Sequence, residues 1–262
     1  MWIKILAAIV AFSQLGGLVS LAQDGEDVRS YQTVTFDSGD GLTVTGDIYA
    51  PHEDKTTPFI VLCHQARWSR GEYREIAPKL NELGFNCLAI DQRSGGAVNK
   101  VSNVTAKLAK QEGAGTDFPD AQQDMIAAVE FAKENYASGK VILWGSSYSA
   151  ALALVIAGEN PELVDGVLSF APGEYFARFD KPKNWVAQSA ANITVPVFMT
   201  SSRKEAGNWS AIFESVQAES KQKFVPKTAG NHGSRALWEE FGDHGAYWEQ
   251  VRTFLTPFTE SE

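Results

Sequence analysis

Apolar and polar residues alternate from Tyr31 to Phe36 and from Leu42 to Tyr49 around Ser38-Gly-Asp-Gly41, which predicts a two-stranded hairpin with one wet face. Phe59–Cys63 and Asn86–Ile90 are continuous apolar runs instead, the pattern of strands covered on both faces. Between them Tyr73, Ile76, Ala77, Leu80 and Leu83 recur at helical spacing, with Pro78 in the first turn and Gly84 as the stop. Residues 92–116 show no clear period and read as a long loop carrying Gly95, Gly96, Gly113 and Gly115. Asp117 is expected to cap the next helix, with Pro119 in its first turn. That helix turns Met125, Ala128, Val129, Phe131 and Ala132 inward and ends near Gly139. Val141–Trp144, Val164–Phe170 and Val195–Thr200 repeat the buried-strand pattern. A helix follows around Ile212, Phe213 and Val216, then a last strand over 223–227 and a closing helix marked by Trp248, Val251, Phe254 and Leu255. Buried strands alternating with helices predict an α/β domain of three layers with a mostly parallel sheet, whose chemistry gathers at the carboxyl ends of the strands.

At 262 residues with ordinary globular composition, the chain has length for one sizeable core. The first 22 residues stand apart. Lys4 is the only charge before Asp24, the apolar run Ile5–Phe12 follows it, and Ser20-Leu-Ala22 has the small residues a signal peptidase reads. We expect a signal peptide over 1–22, with 23–262 as a single mature domain, exported to a periplasm or the extracellular space. Ser13, Gln14, Gly16 and Gly17 interrupt the run too early for a membrane span, so no membrane partner is expected after cleavage. The formal net charge of −9 opposes nucleic acid or an anionic membrane as partner. Cys63 and Cys87 are too few for a disulfide framework and are expected as buried free thiols. Asn103, Asn192 and Asn208 head glycosylation sequons, which bear on the protein only in a eukaryotic source.

The strand pattern Val141–Trp144 runs into Gly145-Ser-Ser-Tyr-Ser149 and then an alanine- and leucine-rich helix. Centred on Ser147, this is G-x-S-x-G with Ser149 in place of the last glycine. Such a tight strand-to-helix turn lifts a serine hydroxyl above the strand end, at a helix N-terminus that favours negative charge. A serine needs a base, and the base needs a third group to orient it. Of four histidines, His52 lies in a polar loop before the first buried strand, His64 follows that strand directly, and His244 starts or precedes the closing helix. His232, in Gly230-Asn-His-Gly233 past the last expected strand, falls on the same sheet edge as Ser147 and is the candidate base. Glu205, in the polar loop after Val195–Thr200, is the candidate acid; Glu174 competes with it and Asp180 more weakly. Oxyanion donors are expected from the backbone N–H of Tyr148 and from the loop His64-Gln-Ala66.

The order strand, His64-Gln-Ala66, helix, Ala89-Ile-Asp91, Gly145-Ser-Ser-Tyr-Ser149, Glu205, His232 resembles the α/β-hydrolase family, most nearly its small dienelactone-hydrolase-like and carboxylesterase-type members. The resemblance spans about residues 31–256. It implies an eight-stranded sheet with helices on both faces, a Ser147-Glu205-His232 triad in that order, and Ala66 as the second oxyanion donor. Gln65, Ser149 and Glu205 depart from the usual glycine, glycine and aspartate, and none of them removes a necessary atom.

The short link from Phe170 to Val195 predicts a minimal cap. Gln65, Trp68 and Tyr175 are candidate substrate contacts, with Tyr148, Phe176 and Trp185 as further candidates for the pocket wall. Arg67 and Arg93, in loops near the cleft, are candidates to bind a substrate carboxylate, with surface solvation as the expected role of each. The reading is an exported serine hydrolase of small carboxylic esters acting through an acyl-enzyme, with a small-molecule partner and no metal or cofactor. A peptidase or acyltransferase on the same fold, or a non-catalytic binding protein, are the alternatives.

Overall fold

The period-two alternation inside each buried run is what builds the layers of this protein, seen in a computed structural model that describes residues 31–260. The segment 1–22, expected as a signal, lies outside the described residues. In chain order the elements are β1 (Gln32–Asp37), β2 (Thr43–Tyr49), β3 (Phe59–Cys63), α1 (Ile76–Glu82), β4 (Asn86–Ile90), β5 (Ala97–Val98), β6 (Val101–Ser102), α2 (Val104–Glu112) and α3 (Gln122–Asn135). There follow β7 (Val141–Ser146), α4 (Tyr148–Glu159), β8 (Gly166–Phe170), α5 (Trp185–Ala190), β9 (Val197–Thr200), α6 (Ala206–Ser215), β10 (Lys221–Phe224) and α7 (His244–Thr259). Eight strands form one sheet in the order β1-β2-β4-β3-β7-β8-β9-β10. The first two pairings are antiparallel and the rest parallel.

Along β3, Phe59, Val61 and Cys63 face a cluster with Met125, Val129, Leu152, Val186 and Ile212, from α3 to α6. Ile60 and Leu62 face the other way, onto Ile76 and Leu80 of α1 and Trp248, Val251 and Leu255 of α7. Both faces of the central strands are therefore dry, and their nearly unbroken apolar sequence follows from that. The edges are polar: β1 is largely exposed, and β10 carries Lys221 and Lys223. Cys63 pairs with Ile90 and Cys87 with Ile60, so the two buried thiols sit at different heights on neighbouring strands.

Several expectations are corrected. The hairpin does not have one wet face throughout, because β2 lies between β1 and β4 and is buried along nearly its whole length. Residues 92–116 are not a featureless loop: β5 and β6 form a small hairpin, and Asn103 caps α2 by accepting the N–H of Ala106 at 2.7 Å. That helix buries only Thr105, Ala106 and Ala109, so no large apolar side chain announces it in the sequence. Asp117 does not cap α3; its own N–H donates to Asp120, and a 3-10 turn over 119–121 leads into the helix. The last strand lies two to three residues earlier than expected, at Lys221–Phe224. Between β8 and β9 there is one 3-10 turn and α5, which packs against α4 and α6, so the segment completes the helical layer, and among the described residues no separate lid covers the sheet edge. No described helix is long and apolar enough to cross a membrane.

Candidate active site

β3, β7, β9 and β10 are parallel neighbours or near neighbours, so the loops leaving their carboxyl ends meet on one edge. Ser147 leaves β7 with φ 60° and ψ −118°, a conformation that costs a non-glycine residue steric strain. The turn that holds it is closely packed. A side chain on Gly145 would stand 2.2 Å from the carbonyl oxygen of Ser149, so glycine is obligatory there. Ser149 is more than a tolerated replacement for glycine. Its buried hydroxyl accepts the N–H of Ser146 at 3.1 Å and lies 2.8 Å from the carbonyl oxygens of Cys63 and His64, joining the turn to the loop after β3.

His232 Nε2 lies 2.8 Å from Ser147 Oγ, and its Nδ1 lies 2.7 Å from Oε1 of Glu205. An ionised carboxylate only accepts, so Nδ1 carries the hydrogen and Nε2 presents its lone pair to the serine hydroxyl. Burial pushes the Glu205 carboxyl up, but hydrogen bonds from His232 and Ser202 and the charge of His232 outweigh it and hold the group below its ordinary value. The loop is set from both sides: Ser202 Oγ donates to Glu205 Oε2, and Arg203 N–H donates to Ala229 O in the segment that leads to His232. Glu174, the competing acid, is used elsewhere. Its carboxylate accepts the N–H groups of Val186 and Ala187 at the start of α5. Asp180 sits in a left-handed conformation at the end of the 3-10 turn 177–179.

In the loop after β3, Gln65 O accepts from His64 Nδ1 at 2.8 Å, while His64 Nε2 accepts the N–H of Gln92 at 2.9 Å. Both ring nitrogens are thus committed to backbone. Burial lowers the His64 pKa to about 4, so it stays neutral and shapes the loop. Because C=O and the following N–H point in opposite directions across a trans peptide, anchoring Gln65 O inward turns the N–H of Ala66 outward. Ala66 N–H has no hydrogen-bond partner among the described residues, and Tyr148 N–H heads α4. β3 and β7 are neighbours, so the loop that carries Ala66 and the turn that carries Tyr148 leave adjacent strands.

The proposed substrate contacts are more dispersed. Gln65 is buried, its Nε2 unpaired and its amide packed towards Gly233, so its backbone matters here more than its side chain. Trp68 stacks on Trp238 with ring centres 5.3 Å apart. The Tyr175 hydroxyl donates to Ala171 O at 2.8 Å. Phe176 and Trp185 are core residues, and the buried Tyr148 ring stacks on Phe118. Arg93 is corrected from a solvated residue to a buried one, paired with Asp124 and Asp40. Arg67 is exposed, beside Lys110, Phe118 and Arg178 in a pocket of about 320 Å³. Glu72, Ser146 and Ser234, which meet beneath Ser147, have no sequence signal: Glu72 in Ser69-Arg-Gly-Glu-Tyr73 reads as a solvated charge, and only the tertiary contact reveals it.

An eight-stranded sheet of this order, with a serine on the strained turn after β7, defines an α/β-hydrolase. The family model described as "Serine aminopeptidase, S33" matches residues 54–218, more than half of the chain, and the protein belongs to that family. No curated protein matches the sequence. Among solved structures it is similar to a dienelactone hydrolase from Anabaena variabilis ATCC 29413, at 18% identity and a TM-score of 0.66 over 88% of this chain and 98% of that one. An esterase from Pyrococcus furiosus aligns at 18% identity and a TM-score of 0.67, over 88% of this chain and 93% of that one. The Butyrivibrio proteoclasticus protein Est1E, solved with ferulic acid bound, aligns at 13% identity and 0.67, over 86% of this chain and 98% of that one. At such identities the likeness is one of fold.

Proposed function

We propose that this protein is an exported serine hydrolase that cleaves small carboxylic esters. The observation that carries the reading is the unbroken hydrogen-bond line from Ser147 Oγ through His232 to Glu205. Ser147 attacks the ester carbonyl while His232 Nε2 takes its proton, and Glu205 stabilises the imidazolium that forms. The N–H groups of Ala66 and Tyr148 receive the negative charge that develops on the carbonyl oxygen. His232 returns the proton to the leaving alcohol, and water releases the acyl group through the same steps in reverse. The likeness in fold to a dienelactone hydrolase and to esterases supports an ester as the substrate. The charge and apolar run of residues 1–22 support export.

The test is hydrolysis of p-nitrophenyl esters from acetate to octanoate by the mature chain and by Ser147→Ala. We expect turnover by the parent chain, a short acyl optimum, and a loss of at least about a thousandfold in kcat in the variant. Folded parent protein without turnover on any ester would reject the reading. The family's aminopeptidase description favours a second reading, cleavage of an N-terminal amide, and aminoacyl p-nitroanilides tested alongside would reveal it. Export is checked by N-terminal sequencing of the secreted chain, expected to begin at Gln23.

A further inference from the structure

Glu72 takes no part in that proton path, yet it lies fully buried, one hydrogen bond from the residue before Ser147. It sits in the 3-10 turn 70–73 between β3 and α1, where three segments of the site meet. Its Oε2 accepts the N–H of Gln65 at 2.8 Å, in the loop that carries Ala66. Its Oε1 accepts the hydroxyl of Ser146 at 2.7 Å, one residue before Ser147. Ser146 Oγ accepts in turn the N–H of Ser234 at 2.9 Å, two residues after His232. Gly233 makes this last approach possible: with φ 72°, it would place a side-chain carbon 2.4 Å from Ser146 Oγ. No lysine or arginine pairs with Glu72 among the described residues. Burying an unpaired carboxylate is costly, and here it is met only by an amide and a hydroxyl.

We propose that Glu72 is a positioning residue for this reaction: its ionised carboxylate holds the Ala66 loop, the Ser147 turn and the His232 loop in one frame. The proposal rests on the ester-hydrolase reading of Ser147, His232 and Glu205. Gln65 is the lever. Glu72 fixes its N–H and His64 fixes its C=O, so the next peptide can present the Ala66 N–H in only one direction. Both partners face Glu72 as donors, and the ionised form accepts from both at once. The protonated acid, or a glutamine, does so at one oxygen only unless the Ser146 hydroxyl turns.

The carboxyl is well placed to show this in a pH profile. Burial pushes it up to about 7, against the hydrogen bonds from Gln65 and Ser146 and the charge of His232. The other titratable groups that interact with it are Tyr73, next in its own turn, and Tyr148 at the head of α4, both raised by burial and neutral throughout the working range. Protonation of Glu72 therefore adds a loss of its own on the acid side, because it releases one arm of the frame.

Steady-state hydrolysis of p-nitrophenyl acetate between about pH 5 and 9 tests this with the parent chain, Glu72→Gln and Ser147→Ala. For Glu72→Gln we expect KM within about threefold of the parent, and kcat lower by about tenfold to a hundredfold. The parent's log kcat/KM should carry a step of about tenfold to a hundredfold near pH 7 that is missing from Glu72→Gln, which a purely structural residue would not produce. A folded Glu72→Gln with parental kcat, or with the parental limb, overturns the proposal. Should that variant not fold, the limb of the parent decides: a step of that size near pH 7 supports Glu72 and its absence overturns the proposal. Ser147→Ala separates the layers of the argument, since undiminished turnover there rejects the reaction itself and the proposal with it.

Discussion

At the scale of single residues, the site is defined by which nitrogen or oxygen each group has left to offer. Glu205 fixes the hydrogen of His232 on Nδ1, and His64 spends both of its ring nitrogens on backbone. Glu205→Gln should therefore fold normally, present His232 in mixed tautomers and lose about a thousandfold or more in kcat, measured by ester turnover beside the melting temperature. Glu72 and His64, buried at the same loop, pull stability in opposite directions with pH. The Glu72 carboxyl titrates at about 7 in the folded chain against an ordinary 4.5, so the stability tied to its neutral form is present below 4.5 and lost as pH rises through 7. His64 titrates at about 4 against an ordinary 6.5, so its contribution is present above 6.5 and lost as pH falls towards 4. Glu72→Gln removes only the first of these. Its melting temperature relative to the parent should rise from pH 5 to pH 8, as differential scanning calorimetry would show; a flat or falling difference would contradict the buried ionised carboxylate. The residues of this network were the least legible in the sequence. Ser147, Glu205 and His232 stood out by type and by position after strands, whereas the partners of Glu72 lie 74 and 7 residues away, and no local pattern marks such a contact.

At the scale of elements, apolar runs announced the buried strands well because a strand dry on both faces has few polar positions. The same reasoning failed for α2, whose buried face is Thr105, Ala106 and Ala109. Its buried face carries no large apolar side chain to announce it, and its cap, Asn103, stands out in the sequence only as a sequon. That cap does two jobs: Asn103 Oδ1 accepts the N–H of Ala106, and Nδ2 donates to Gln92 O at 2.8 Å and reaches His64 Nε2 at 3.1 Å. Asn103→Ala should cost about 1–3 kcal/mol in urea denaturation, through loss of the cap and of a buried donor, and should lower ester turnover by loosening the loop behind His64. The burial of Asn103 also removes the first sequon from glycan chemistry in the folded state, while Asn192 and Asn208 are exposed.

At the scale of the whole molecule, long-range ion pairs bind the first hairpin to the domain. Arg93, after β4, donates to Asp124 on α3 and to Asp40 and Ser38 in the β1–β2 turn. Asp124 is fully buried, so Asp124→Ala strands a buried guanidinium with only the partly exposed Asp40 as counter-charge. A loss of about 3–5 kcal/mol is expected in chemical denaturation, with kcat little changed in whatever fraction stays folded. Sequence alone determined the strand runs, the serine turn, the order of the catalytic candidates and the three-layer class, because each depends on local geometry or on periodicity. Only the tertiary structure put Glu205, and not Glu174, against His232, moved Arg93 from solvent to the interior, and brought Glu72 to Ser146 beside the serine turn. Those outcomes depend on which loops meet at the sheet edge and on which charges folding removes from water, and neither is written in any short stretch of the chain.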